Sequence, residues 1–275
     1  LKASVTYMVQ TFIRHWQEHS RKTLPLLLEG YSAGLETGDI LFGAFNAQGY
    51  GFQAYWSGVE LTGLEHEMTK HSKAMRQLKQ EQVFNINEIY RQFVHNLLGR
   101  SAHPCRLVGE CCDEEKILSL HPQANSANTL CFIYSCKLVL SYLFHEYHQA
   151  IAQAIEEEKY LDSLRGTAVI PAFHFYDSLA RLAVFFDAEE PAQKRLLERV
   201  AANQDKLKLW AQHAPMNYLH KFHLVEAERA RVLGKEHEAR EYYDQAIDLA
   251  RTHEYVNEEA LANELAAQFY LARGQ

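Results

Sequence analysis

The last quarter of the chain constrains its fold more than any other stretch. Leu224 to Gly234 and Glu238 to Ala250 carry apolar residues at three- and four-residue intervals on either side of Gly234. That spacing predicts two amphipathic helices, and the glycine stands where the chain must stop and reverse. Such a hairpin cannot bury its apolar stripe alone, so neighbouring helices must stack on it.

The register of the hairpin matches a tetratricopeptide-type unit, which repeats about every 34 residues. Aligned from His220, Ala227 takes the small position of the first helix and Gly234 the turn. Ala239, Tyr243 and Ala246 take the small, aromatic and small positions of the second. His223 and Glu226 depart from the pattern, standing where Trp and Leu are common. Ala267, Tyr270 and Gly274 form a partial successor displaced to 40 residues, and Leu143 to Ala154 gives a weaker echo with Tyr147 and Ala150. The expected fold is all-α: a right-handed α-solenoid of degenerate tetratricopeptide-like hairpins, forming one domain over residues 1–275.

Prolines and glycines divide the remainder into helix-length pieces. Pro25 permits a helix start, and Gly38-Asp39 marks a stop followed by a new cap. Further helices are expected near 40–56, 60–80, 85–98, 129–144 and 147–164, about a dozen in all. Residues 99–128 are the most irregular. Gly99 to Cys105 is the clearest break, Asp113 caps a short helix, and His121 to Asn128 forms a second loop. Later breaks fall at Gly166–Pro171, Asp187–Pro191 and His213–Pro215.

Composition excludes several classes. Hydrophobic residues at 47% and charged residues at 23% match ordinary globular usage, so a disordered chain is not expected. A net charge of −7 gives no electrostatic reason to expect nucleic acid. The absence of a run of about 18 apolar residues predicts no membrane span. Cys105, Cys111, Cys112, Cys131 and Cys136 are odd in number and follow no secretory signal, which suggests reduced thiols in the cytoplasm. The first residues read as the middle of a helix, and the chain stops where another helix would follow. Both ends suggest a segment of a longer polypeptide.

No catalytic set is legible. His15/His19 and His220/His223/Glu226 have spacings compatible with metal ligation, but neither forms His-Glu-x-x-His. His103, Cys105, Cys111 and Cys112 lack the paired Cys-x-x-Cys elements of a zinc site. Cys131 and Cys136 point about 140° apart on a helix. Phosphate-cradling glycine loops, kinase catalytic motifs and a Gly-x-Ser-x-Gly elbow are all missing. Gly30, Ala33, Gly34, Gly43, Ala44 and Ala47 fit close helix–helix contacts instead. No catalytic, cofactor or metal residue is therefore expected. The candidate partner-binding residues are Lys221, Leu224, Glu228 and Arg231, on the inner face of the first hairpin helix.

Several longer motifs are distinctive. They are Leu28 to Asp39, Tyr90-Arg-Gln-x-Val-x-Asn-Leu-Leu98, Phe173-His-Phe-Tyr-Asp-Ser-Leu-Ala-Arg181 and Ala214-Pro-Met-Asn-Tyr-Leu-His-Lys-Phe222. Val225 to Gly234 and Asn257 to Ala267 complete the set. Together they resemble the helical middle region of large, chiefly cyanobacterial signalling proteins. Those proteins join a serine/threonine kinase domain, a P-loop ATPase module, this helical region, a GAF-type sensor and a histidine kinase. The resemblance implies a cytoplasmic regulatory region, with partners among the other domains of the same polypeptide or other signalling proteins. No catalytic residue carries over.

The expected function is thus a non-catalytic interaction scaffold within a multidomain kinase, presenting a groove to its partners. The alternative is a small-molecule sensor whose pocket is lined by Tyr50, Phe52, Tyr55 and Trp56.

Overall fold

A computed structural model describes residues 1–119 and 126–274; residues 121–125 of the expected loop at His121–Asn128 lie outside the described residues. The described residues are all-α, with thirteen α-helices, four short 3₁₀ turns and no strand beyond one isolated bridge between Val108 and Asp113. Where the sequence suggests one continuous array, the chain groups into two compact units: residues 1–15 with 20–170, and residues 16–19 with 171–275.

In the first unit, α1 (Lys2–Phe12) packs on α2 (Thr23–Thr37) and α3 (Ile40–Trp56). The small residues read from the sequence set the α2–α3 distance. A Cβ on Gly34 would lie 2.5 Å from the Cα of Gly43, closer than any side chain permits. Ala44 and Ala47 then seat against Met75 and Val83. Helices α4 (Leu61–Gln77) and α5 (Glu81–Leu97) pair with each other, and α3 also contacts both. Helix α5 meets α7 (Ala127–Leu143), which pairs with α8 (Tyr147–Glu158); the short α6 (Glu114–Ser119) precedes them. Asp113 does cap α6, its Oδ1 accepting the backbone N–H groups of Glu115 and Lys116.

Phe52, Tyr55 and Trp56 are buried core, with Phe52 edge-on to Tyr90 and Phe132, and Tyr55 edge-on to Phe93. Burying these aromatic rings stabilises the fold, because each hides a large apolar area. Tyr50 is half-buried, edge-on to His71.

The second unit holds most of α9 (Val169–Ala183), then α10 (Glu190–His213), α11 (Pro215–Val232), α12 (Glu236–Thr252) and α13 (Val256–Leu271). Pro191 and Pro215 fall in first turns, where a missing N–H costs nothing. The α11–α12 hairpin turns at Gly234, whose φ of 71° suits glycine. Ala227, Ala239, Tyr243 and Ala246 are all buried, as the repeat register requires. The successor is read one residue out of register. Ala267 is exposed and Tyr270 half-exposed, while Ala262, Ala266 and Phe269 form the buried stripe of α13. Phe269 meets the Tyr243 ring at 5.4 Å, so packing against α12 selects that register.

Candidate functional site

The polar residues of the distinctive motifs converge in three buried networks. The first lies between α4, α5 and the loop that follows α5. Helical spacing brings Arg91, Gln92, His95 and Asn96 onto the part of α5 that faces this loop. Asn96 Nδ2 donates to the carbonyls of Pro104 (2.9 Å) and Arg106 (2.7 Å), and Gln92 Nε2 donates to Asn96 Oδ1 (2.9 Å). Gln92 Oε1 accepts the Cys111 backbone N–H at 3.1 Å. A side chain at Gly109 would approach the Gln92 amide within 2.6 Å, so any larger residue there would displace Gln92 from its bonds to Asn96 and Cys111.

Glu65 on α4 is the hub of this network. It accepts from Thr69 Oγ1 (2.7 Å), His95 Nε2 (3.1 Å) and Arg91 Nη2 (3.4 Å). Burial pushes its carboxyl up, but these three hydrogen bonds outweigh that and hold it down at about 2. An ionised Glu65 requires the proton of His95 on Nε2, which leaves Nδ1 facing Cys111 Sγ at 3.8 Å. Arg91 Nη1 also grips both oxygens of Glu88 (2.9 and 2.8 Å), and Ser72 Oγ donates to the same carboxylate. A cleft of about 370 Å³ opens beside this wall, lined by Lys73 and Arg76 of α4, Phe84, Glu88 and Arg91 of α5, and Glu110 of the loop.

The second network centres on Asp177 of α9, which is fully buried. It accepts from Arg181 Nε, Arg199 Nε and Asn203 Nδ2, each at 2.8 Å. Asn203 Oδ1 accepts from His174 Nδ1 at 2.8 Å. Burial lowers His174 to about 4, so its ring is neutral and Nε2 can accept from Lys206 (3.4 Å).

The third network contains the residues expected to form a docking face. Lys221 is buried and donates to Glu258 of α13 at 2.5 Å, while His220 Nε2 donates to the same oxygen. Burial lowers the Lys221 and His220 pKa values, His220 to about 4; Glu258 opposes the shift in both. Burial also pushes the Glu258 carboxyl up, but the Lys221 charge and the hydrogen bonds from His220 and Lys221 prevail and keep it ionised. The Lys221 ammonium lies 4.7 Å from the centre of the Tyr255 ring. Leu224 is buried. Glu228 is buried too, accepting from the Tyr243 hydroxyl and from Arg231 Nε (3.0 Å) and Nη2 (2.7 Å). Of the four candidates only Arg231 retains appreciable exposure, with 22% of its side-chain surface accessible. The face is therefore filled by α12 and α13 rather than open to a partner.

The paired histidines are separated. His15 is buried and bonded to the Gly166 carbonyl (2.8 Å), whereas His19 meets the His253 carbonyl (2.9 Å). Helix α1 ends at Phe12, and His15 sits in a 3₁₀ turn beyond it. His220 is turned to Glu258, and His223 stacks near Tyr242 at 5.5 Å. Cys105, Cys131 and Cys136 are buried. Burial pushes the Cys111 thiol up to about 12, so it carries no thiolate near neutral pH. Among the described residues no three His, Cys, Asp or Glu side chains converge as metal ligands would.

Sequence reasoning missed Glu65, Glu88, Asp177 and Glu258 as network centres. Polar residues at apolar helical positions were the available signal: Asp177 interrupts an apolar run, and Glu258 stands at the foot of a buried stripe. Compared with known proteins, the chain matches no family model, no curated protein and no solved structure.

Proposed function

We propose that this chain is a non-catalytic interaction scaffold, acting within a multidomain signalling kinase between nucleotide-driven and phosphorelay modules. One observation carries the reading. Arg91, Asp177, Arg181 and Lys221, the charged residues of the Tyr90–Leu98, Phe173–Arg181 and Ala214–Phe222 motifs apart from their histidines, are committed to intramolecular pairs in the three networks. A buried pair penalises any other helix register, because a shifted register strands an unpaired charge. Rigid, register-fixed helices suit a part that transmits orientation between attached domains.

The resemblance of the Tyr90–Leu98, Phe173–Arg181 and Ala214–Phe222 motifs to such proteins supports the signalling context. The test is removal of the segment from the full polypeptide. Altered kinase activity or altered response to its stimulus is the expected outcome. Unchanged activity and unchanged regulation would sink the scaffold reading.

A further inference from the structure

The cleft between α4 and α5, beside the first network, carries two cations that are unmatched among the described residues. Thr69, Ser72, Lys73 and Arg76 recur at the spacing of a single α4 face, and Phe84, Glu88 and Arg91 at that of a single α5 face. The deeper charges cancel, since Arg91 and Glu88 form a two-pronged pair. Thr69 and Ser72 already donate their hydroxyl protons to Glu65 and Glu88. Lys73 and Arg76 differ. Both are exposed, and neither side chain has a hydrogen bond or a carboxylate within 4 Å among the described residues. Arg76 instead lays its guanidinium over the half-buried Phe84 ring, 4.7 Å from its centre.

We propose that this cleft binds a small organic monocarboxylate, with Lys73 and Arg76 taking the carboxylate and Phe84 the apolar body. The charge balance selects a single negative charge. Lys73 and Arg76 contribute two positive charges, and the exposed Glu110 on the loop wall removes one. A monoanion therefore leaves the cleft neutral, while a dianion meets Glu110 repulsion. The guanidinium is planar and presents its donors in a fork that fits a carboxylate. The volume of about 370 Å³ accommodates a small molecule and excludes a folded partner.

Benzoate is a suitable probe and benzamide its uncharged isostere. Titration of the whole chain by heteronuclear NMR should show saturable shifts centred on residues 69–91 and 110. The Kd should be on the order of 1 mM, the range open to so small a ligand. Benzamide should produce none of these shifts. Lys73→Ala and Arg76→Ala are surface changes, and each should weaken benzoate about tenfold. Inorganic phosphate, as the dianion near pH 8, should bind more weakly than benzoate, and Glu110→Gln should narrow that gap. Three results would overturn the assignment: equal binding of benzamide, wild-type affinity in the Lys73→Ala/Arg76→Ala double variant, or tighter binding of phosphate than benzoate by the unaltered chain. The proposal is independent of the scaffold reading, because it is measured on this chain alone and the other on the whole protein.

Discussion

His15 is buried against the Gly166 carbonyl, and burial lowers its pKa to about 4. An unfolded chain takes up that proton near pH 6.5, while the folded protein refuses it until about pH 4. Stability is therefore fully present above about pH 7 and falls as pH drops through this window, by something on the order of 3 kcal/mol for this ring. His174 and His220, also lowered to about 4, act in the same direction. Urea midpoints measured between pH 7.5 and 5 should decline, and His15→Gln should flatten the slope; an unchanged slope would refute the assignment. Glu258 poses a sharper test. Glu258→Gln leaves Lys221 buried without a counter-charge and should cost about 3–5 kcal/mol. Replacing both, with Lys221→Met and Glu258→Leu, should cost distinctly less, since no charge is then stranded. Equal losses in chemical denaturation would show that the pair contributes only packing.

At the scale of the elements, the helix ends are as informative as the helices. Gly58, Gly99 and Gly234 close their helices in the left-handed region, and so do Lys79, His145 and Glu254. In each case the residue's own backbone N–H and that of the next residue turn back onto the helix, as Lys79 to Arg76 and Gln80 to Met75. A side chain in that conformation is strained by about 1 kcal/mol. Lys79→Gly should therefore raise stability by about 0.5–1 kcal/mol, and Gly234→Ala should lower it by about 1 kcal/mol, read from thermal or urea unfolding. Gly34→Ala should cost more, about 2 kcal/mol or above, because its new methyl meets the backbone of Gly43 and α2 must retreat from α3. Glycine breaks were visible in the sequence at Gly38, Gly58 and Gly99. Lys79 and Glu254 were not, since nothing in their chemistry marks a left-handed residue. The two arginine- and histidine-bearing motifs at 90–98 and 173–181 stood out as unusual, yet their partners Glu65 and Asn203 lie 26 and 26 positions from Arg91 and Asp177. Spacing of that order carries no period to read.

Across the molecule, each unit has its own core. Aromatic rings of α3, α5 and α7 fill the first, and the Ala/Tyr/Phe interlock of α11, α12 and α13 fills the second. Native-state hydrogen exchange should therefore report separate opening free energies for residues 20–170 and 171–274. Glu258→Gln should accelerate exchange in the second group ahead of the first, and uniform acceleration throughout would contradict the division. The sequence by itself determined the all-α class, the main helix breaks and the close α2–α3 approach, while α1 and α8 end earlier and α5 begins earlier than its pattern suggests. These follow from helical period, glycine and proline, which act within one or two turns of chain. Tertiary structure alone decided which face of α13 is buried, that Lys221, Leu224 and Glu228 lie inside rather than on a groove, and that Lys73 and Arg76 remain unmatched beside Phe84. Those outcomes depend on which helices meet, and a charge is buried or exposed only once a distant partner has been brought to it.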